Sequence, residues 1–154
     1  MAWNETVTTL VDEFGLKPEY VYLLPLVPLI EIMWADGKAQ PAEISILYEC
    51  ATRHLANLHT AAAGEEVVSI AEAEAFLERF LKAEPDPAML RRLRELTVAL
   101  LNATAPESER RSLLDNCMDI AAVAVSSYPY NRRDRVMAAE KALLHELFNS
   151  LHLS

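Results

Sequence analysis

The chain offers little from which to build a sheet. It has no alternating run of β-branched residues and only three glycines in 154 positions, so strands and tight hairpin turns lack their usual material. Helix start and stop signals recur instead. A first helix is expected from about Trp3 to Phe14, closed by Gly15. A second begins at Pro18 and is kinked or restarted before it reaches Trp34, with a bend near Leu24, because Pro25 and Pro28 each remove a backbone donor. The third is expected from Pro41 to about Asn57, with Ile44, Tyr48, Ala51, Leu55 and Leu58 as its inward stripe and Glu43, Leu47, Cys50 and His54 beside it. Ser69 with Glu72 opens a fourth, Asp86 with Pro87 a fifth, and Thr104, Pro106 and Glu107 a sixth that ends before Tyr128. The last runs from about Arg132 to Leu151, packing through Val136, Ala139, Leu143, Leu147 and Leu151. Residues 59–68 and 83–86 read as linkers. The expected fold is all-α, a compact bundle of about seven helices forming one domain over residues 1–154.

A chain that is 52% hydrophobic buries a core without disulfide help. Its net charge of -9 argues against binding the phosphate backbone of nucleic acid, which requires a dense basic face. The arginine groups at 91, 92 and 94, at 110 and 111, and at 132, 133 and 135 alternate with acids and read as solvated helix faces. Cys50 and Cys117 lie in apolar helical patterns, and no basic leader precedes the first helix, so a reducing cytoplasm is expected. The apolar run Tyr20 to Ala35 is short for a membrane span and contains Pro25, Pro28 and Glu31. It reads as a buried helix, with no transmembrane segment expected.

Residues 34–43, Trp-Ala-Asp-Gly-Lys-Ala-Gln-Pro-Ala-Glu, join a helix stop to a helix start. Gly37 suits the left-handed closing position and Pro41 the first helical one. Glu43 then falls at the third helical position, facing Asp36 across a corner, which makes the pair a candidate cation site. The plainer alternative is that Glu43 complements the helix dipole and Asp36 stabilises the turn. A partial internal echo sets Glu43 against Glu140, Ile46 and Leu47 against Leu143 and Leu144, and Glu49 against Glu146. Upstream, residues 29–32 answer to residues 117–120, placing Glu31 opposite Asp119. Leu55 against His152 breaks the pattern, so any helix-pair repeat is degenerate.

Residues 29–43, with the Met-Trp-Ala-Asp-Gly core at 33–37 and Pro-Ala-Glu at 41–43, resemble the acidic signature of the TerB-like tellurite resistance family. The resemblance is strongest over residues 20–57, weaker over 114–151, and silent about 59–112 beyond helix content. It implies a compact, pseudo-repeated helical domain in which acids near Asp-Gly turns bind a divalent cation. Those acids fall on Asp36 and Glu43 in the first half and on Glu140 in the second, with Glu31 and its counterpart in the echo, Asp119, as secondary candidates. The second Asp-Gly is absent, and Asn131-Arg132-Arg133-Asp134-Arg135 stands in its place. Carboxylate ligands without clustered histidine or thiolate favour calcium, magnesium or manganese over zinc. The resemblance further implies a bacterial, non-enzymatic stress-response or envelope-associated module. Its protein partners would be other stress proteins, membrane components among them, and its location cytoplasmic or peripheral to the inner membrane.

Two alternatives stand beside this. Cys50 and His54, four residues apart, share a helix face and form half of the thiol site of alkylhydroperoxidase-like proteins, but Leu47 occupies the position of the other cysteine. A metal-free protein-protein interaction scaffold is the other. No glycine-rich phosphate cradle, nucleophile elbow or zinc-type cysteine pair is present, and no histidine follows a glutamate at three residues. The chain is therefore expected not to be an enzyme.

Overall fold

A computed structural model describes residues 2–35, 41–63, 68–126 and 130–151, with side chains throughout these stretches except at 2 and 123–137. The described residues form seven α-helices: α1 Ala2–Phe14, α2 Val27–Trp34, α3 Pro41–Ala61, α4 Ile70–Leu81, α5 Pro87–Thr104, α6 Glu107–Ser126 and α7 Tyr130–Ser150. A 3-10 segment, Pro18–Leu26, links α1 to α2, and no strand occurs among the described residues. The all-α expectation holds. No described helix is long and apolar enough to cross a membrane.

Terminal residues act as their chemistry dictates. Gly15 closes α1 at φ 63°, with its N–H bonded to the Val11 carbonyl at 3.1 Å, a left-handed conformation that costs glycine nothing. Ser69 Oγ accepts from the Glu72 N–H at 3.0 Å and Asp86 Oδ1 from the Ala88 N–H at 3.1 Å, so both caps form as expected. Glu72 does not reach back to its cap. Its carboxylate takes Lys17 Nζ at 2.8 Å and Tyr20 Oη at 3.2 Å, tying α4 to the 3-10 segment.

The prolines restart the helix, one of the two outcomes expected of them. What differs is the first part, Pro18–Leu26, which is a nine-residue 3-10 segment ahead of a separate α2. Runs of this length are uncommon because 3-10 geometry is poorer, and here the missing donors at Pro25 and Pro28 break the α ladder. Two carbonyls beside these prolines take side-chain donors from other helices. Tyr22, whose 3-10 donor would be Pro25, accepts from His54 on α3 at 2.6 Å. Leu24, whose α-helical donor would be Pro28, accepts from the Val27 N–H and also from the Thr97 hydroxyl on α5 at 3.2 Å. The prolines thus fix where α3 and α5 dock.

Helix α2 is the axis of the bundle. It packs against α3, α5, α6, α7 and the 3-10 segment, and six of its eight residues are buried. A helix apolar on nearly every side has no solvent face to present. Only Glu31 and Trp34 of α2 are partly exposed, and Trp34 Nε1 donates to the Phe80 carbonyl of α4 at 3.0 Å.

The inward face of α3 differs from the expected stripe. Glu43, Leu47, Cys50, Ala51 and Leu55 are buried, while Ile44 is half-buried and Tyr48 exposed. The face is turned by about one residue because Glu43 and His54 enter the interior, where a purely apolar count does not place them. Helix α3 also runs further than expected, to Ala61, and is followed by Ala63 in the left-handed region at φ 57°. In α7, Leu147 and Leu151 are buried as expected, but Ala139 is exposed and Glu140 takes the inward position beside it.

Candidate functional site

The acids singled out by sequence occupy different environments. Asp36 and Gly37 lie outside the described residues, so the corner is seen only from its two helices. Glu43, the third residue of α3, is 0% exposed, and Glu140, on α7, is 2% exposed. Carboxylates rarely leave water completely, because desolvation costs several kcal/mol unless hydrogen bonds, a cation or a proton compensate it. Both burials are therefore specific features. The helix starts do not align the echo, since α3 begins two residues before Glu43 and α7 ten before Glu140.

Glu31 is held by a basic partner. Its Oε2 lies 2.9 Å from Arg94 Nε on α5, and Arg94 Nη1 lies 3.0 Å from Glu146 Oε2 on α7. The Nε to Oε2 approach lacks hydrogen-bond alignment, so that contact is chiefly electrostatic. Burial pushes the Glu31 carboxyl from the ordinary 4.5 up to about 6, against the pull of Arg94, and the nearby Glu146 adds to the rise. Arg94 is itself 5% exposed, which corrects its expected place on a solvated face. Sequence reasoning missed it, yet a signal exists. Leu90, Arg94, Thr97 and Leu101 recur at helical spacing on the buried side of α5, and an arginine on such a stripe requires an acid opposite.

Helix α2, which bears Glu31, touches both α3, which bears Glu43, and α7, which bears Glu140. Among the described residues, however, no three acidic, histidine or cysteine side chains gather closely enough to hold a metal ion. A cation site at this corner requires Asp36. Oxygen donors of this kind match hard cations.

Cys50 and His54 line a cleft between α3 and α6. Carbonyl oxygen only accepts, so the Nε2 bond to Tyr22 makes that nitrogen the protonated one. Burial lowers the His54 pKa below 6.5, outweighing the carbonyl contact and Glu109. Burial also raises the Cys50 thiol above 9.0, although Arg53 Nη2 contacts its sulfur at 3.3 Å. Cys117 on α6 is wholly buried and pushed up further, with Cys50 and Glu31 adding to the rise as nearby negative groups. His54 is committed to a backbone acceptor, and both thiols are held protonated. The pair has the chemistry of core residues.

No family model, curated protein or solved structure matches the chain.

Proposed function

We propose that the chain is a non-enzymatic TerB-like helical module of bacterial stress or envelope physiology, tuned by a divalent cation held by Asp36, Glu43 and Glu140. The observation that carries this reading is the burial of Glu43 and Glu140, at 0% and 2% exposure, on two helices that both pack against α2. Both positions named by the resemblance hold a carboxylate inside the helical core, where hydrogen bonds, a proton or a cation offset its desolvation. The donor chemistry selects calcium, magnesium or manganese. Its partners on this reading are other stress proteins, including membrane components, met in the cytoplasm or at the inner membrane surface.

An ion that binds only the folded chain raises its melting temperature. At a hundredfold excess over the dissociation constant the gain is about 2.7 kcal/mol, or about 5–10 °C for a domain of this size. Calcium is expected to act most clearly, and Asp36→Asn to abolish most of the increment while leaving helical content intact. If calcium, magnesium and manganese at millimolar levels all leave melting unchanged, the acids are structural, and a metal-free interaction scaffold becomes the better description.

A further inference from the structure

The cleft between α3 and α6 has a volume of about 670 Å3, within the size range of small-molecule sites. Its floor is aliphatic, made by Leu26 and Leu29 below and by Leu101 and Leu113 from the flanking helices. The α6 wall carries Glu109, Asp115 and Asp119, all exposed. Among the described residues none of the three belongs to an ion pair. The opposite wall offers one fixed positive charge, Arg53, whose guanidinium contacts the Cys50 sulfur. His54 is bonded to Tyr22 and favours its neutral form.

Spacing and lining together select the ligand. With a helical rise of about 1.5 Å per residue, Glu109, Asp115 and Asp119 are spread over about 15 Å along α6. A single metal ion, whose oxygen ligands lie at about 2.0–2.6 Å, cannot bridge that ladder. Among the described residues no Phe, Tyr or Trp lines the cleft, so the cage that recognises quaternary ammonium groups is missing. An aliphatic chain bearing several ammonium groups meets both surfaces: its methylenes cover the leucine floor and its charges meet the acids one after another. In a linear polyamine, ammonium groups three or four methylenes apart are separated by roughly the 5.4 Å of one helical turn. The net charge of -9 draws such a polycation toward the protein from a distance.

We infer that the cleft between α3 and α6 is a binding site for a linear aliphatic polyamine, held by Glu109, Asp115 and Asp119 over the floor of Leu26, Leu29, Leu101 and Leu113. The inference is independent of the divalent-cation corner and uses none of Asp36, Glu43 and Glu140.

The test is calorimetric titration of the full chain with spermidine at about 0.15 M salt, where charges are screened beyond about 8 Å. One spermidine per chain is expected, binding at least tenfold more tightly than butylamine. Asp115→Asn with Asp119→Asn is expected to weaken it tenfold or more. Glu74→Gln with Glu78→Gln removes the same charge from the exposed face of α4 and is expected to leave affinity unchanged. The inference fails if both double variants weaken spermidine equally, since that is the signature of diffuse attraction. It fails equally if magnesium at matched ionic strength displaces spermidine as effectively as butane-1,4-diamine does. It also fails if a lysine-rich peptide, and not spermidine, is the ligand whose binding depends on Asp115 and Asp119.

Discussion

Replacing Arg94 with methionine isolates the one buried arginine of the described core, and the outcome is fixed by the titration of Glu31. Its folded-state value of about 6 exceeds the ordinary 4.5, so the folded chain holds the proton more tightly than the unfolded one. Stability from this group is complete below pH 4.5 and is lost as pH rises through 6. Above that the deficit is about 2 kcal/mol, at 1.36 kcal/mol per pKa unit. Without Arg94 the carboxyl rises further, and the cost of holding its proton at pH 7.5 is at most about 4 kcal/mol. The charge-related penalty of Arg94→Met at pH 7.5 is therefore at most about 2 kcal/mol, smaller than the 3–5 kcal/mol typical of a broken buried pair because the carboxyl escapes by neutralising.

At pH 5 this difference disappears, because wild type and variant both keep most of the proton. Methionine retains much of the arginine stem's packing, and the lost Glu146 contact is worth little, since that side chain is 59% exposed. His54 works in the opposite sense. Its value is lowered, so its stability is present above pH 6.5 and lost as pH falls through the folded value, but both proteins contain it and it cancels. Urea unfolding of wild type, Arg94→Met and Arg94→Met with Glu31→Gln at pH 5 and 7.5 measures the difference directly. The single variant should lose up to about 2 kcal/mol more at pH 7.5 than at pH 5, and the double variant should lose this pH dependence. Equal destabilisation at both pH values would show that Arg94 acts by packing alone, and the electrostatic account would be wrong.

Three further outcomes test the fold and the thiols. Leu47→Ala should cost about 2–5 kcal/mol in urea unfolding and Tyr48→Ala under about 1 kcal/mol; the reverse order would restore the expected face of α3. Ser69→Ala should cost about 1 kcal/mol and lower the melting temperature by a few degrees, and no change would mean that the Glu72 N–H is satisfied without the cap. In a thiol-labelling time course, Cys117 should react only as fast as the chain opens and Cys50 only slowly, given burial and raised pKa values; rapid labelling of Cys50 together with peroxide consumption would promote the redox alternative.

Helix starts were legible because a cap is a local event. Ser69, Asp86 and Gly15 each need only their own neighbours to act. The turned face of α3 and the 3-10 form of Pro18–Leu26 were not legible, because each is tied to distant partners. Glu43 and His54 point inward against their polarity, and His54 does so because Tyr22, thirty-two residues away, has a carbonyl that Pro25 leaves without a 3-10 donor. Prolines announce a missing donor in sequence. They do not announce which residue will supply its replacement.

The four acids that sequence placed in one candidate set are separated by what surrounds them. Glu31 sits on the central helix with Arg94 at 2.9 Å, and a guanidinium already beside a carboxylate opposes a divalent ion at the same oxygens, so its burial is explained by an internal partner. Glu43 and Glu140 are nearly completely buried on two helices that both pack against α2. This division has a consequence for the titrations. Removing Glu31 changes the pH profile of stability, whereas a cation corner draws its response from Asp36, Glu43 and Glu140. A chain carrying Glu31→Gln should therefore keep its full calcium increment in melting temperature. Loss of the increment in that variant would place Glu31 among the ligands and make Arg94 the group that the ion displaces.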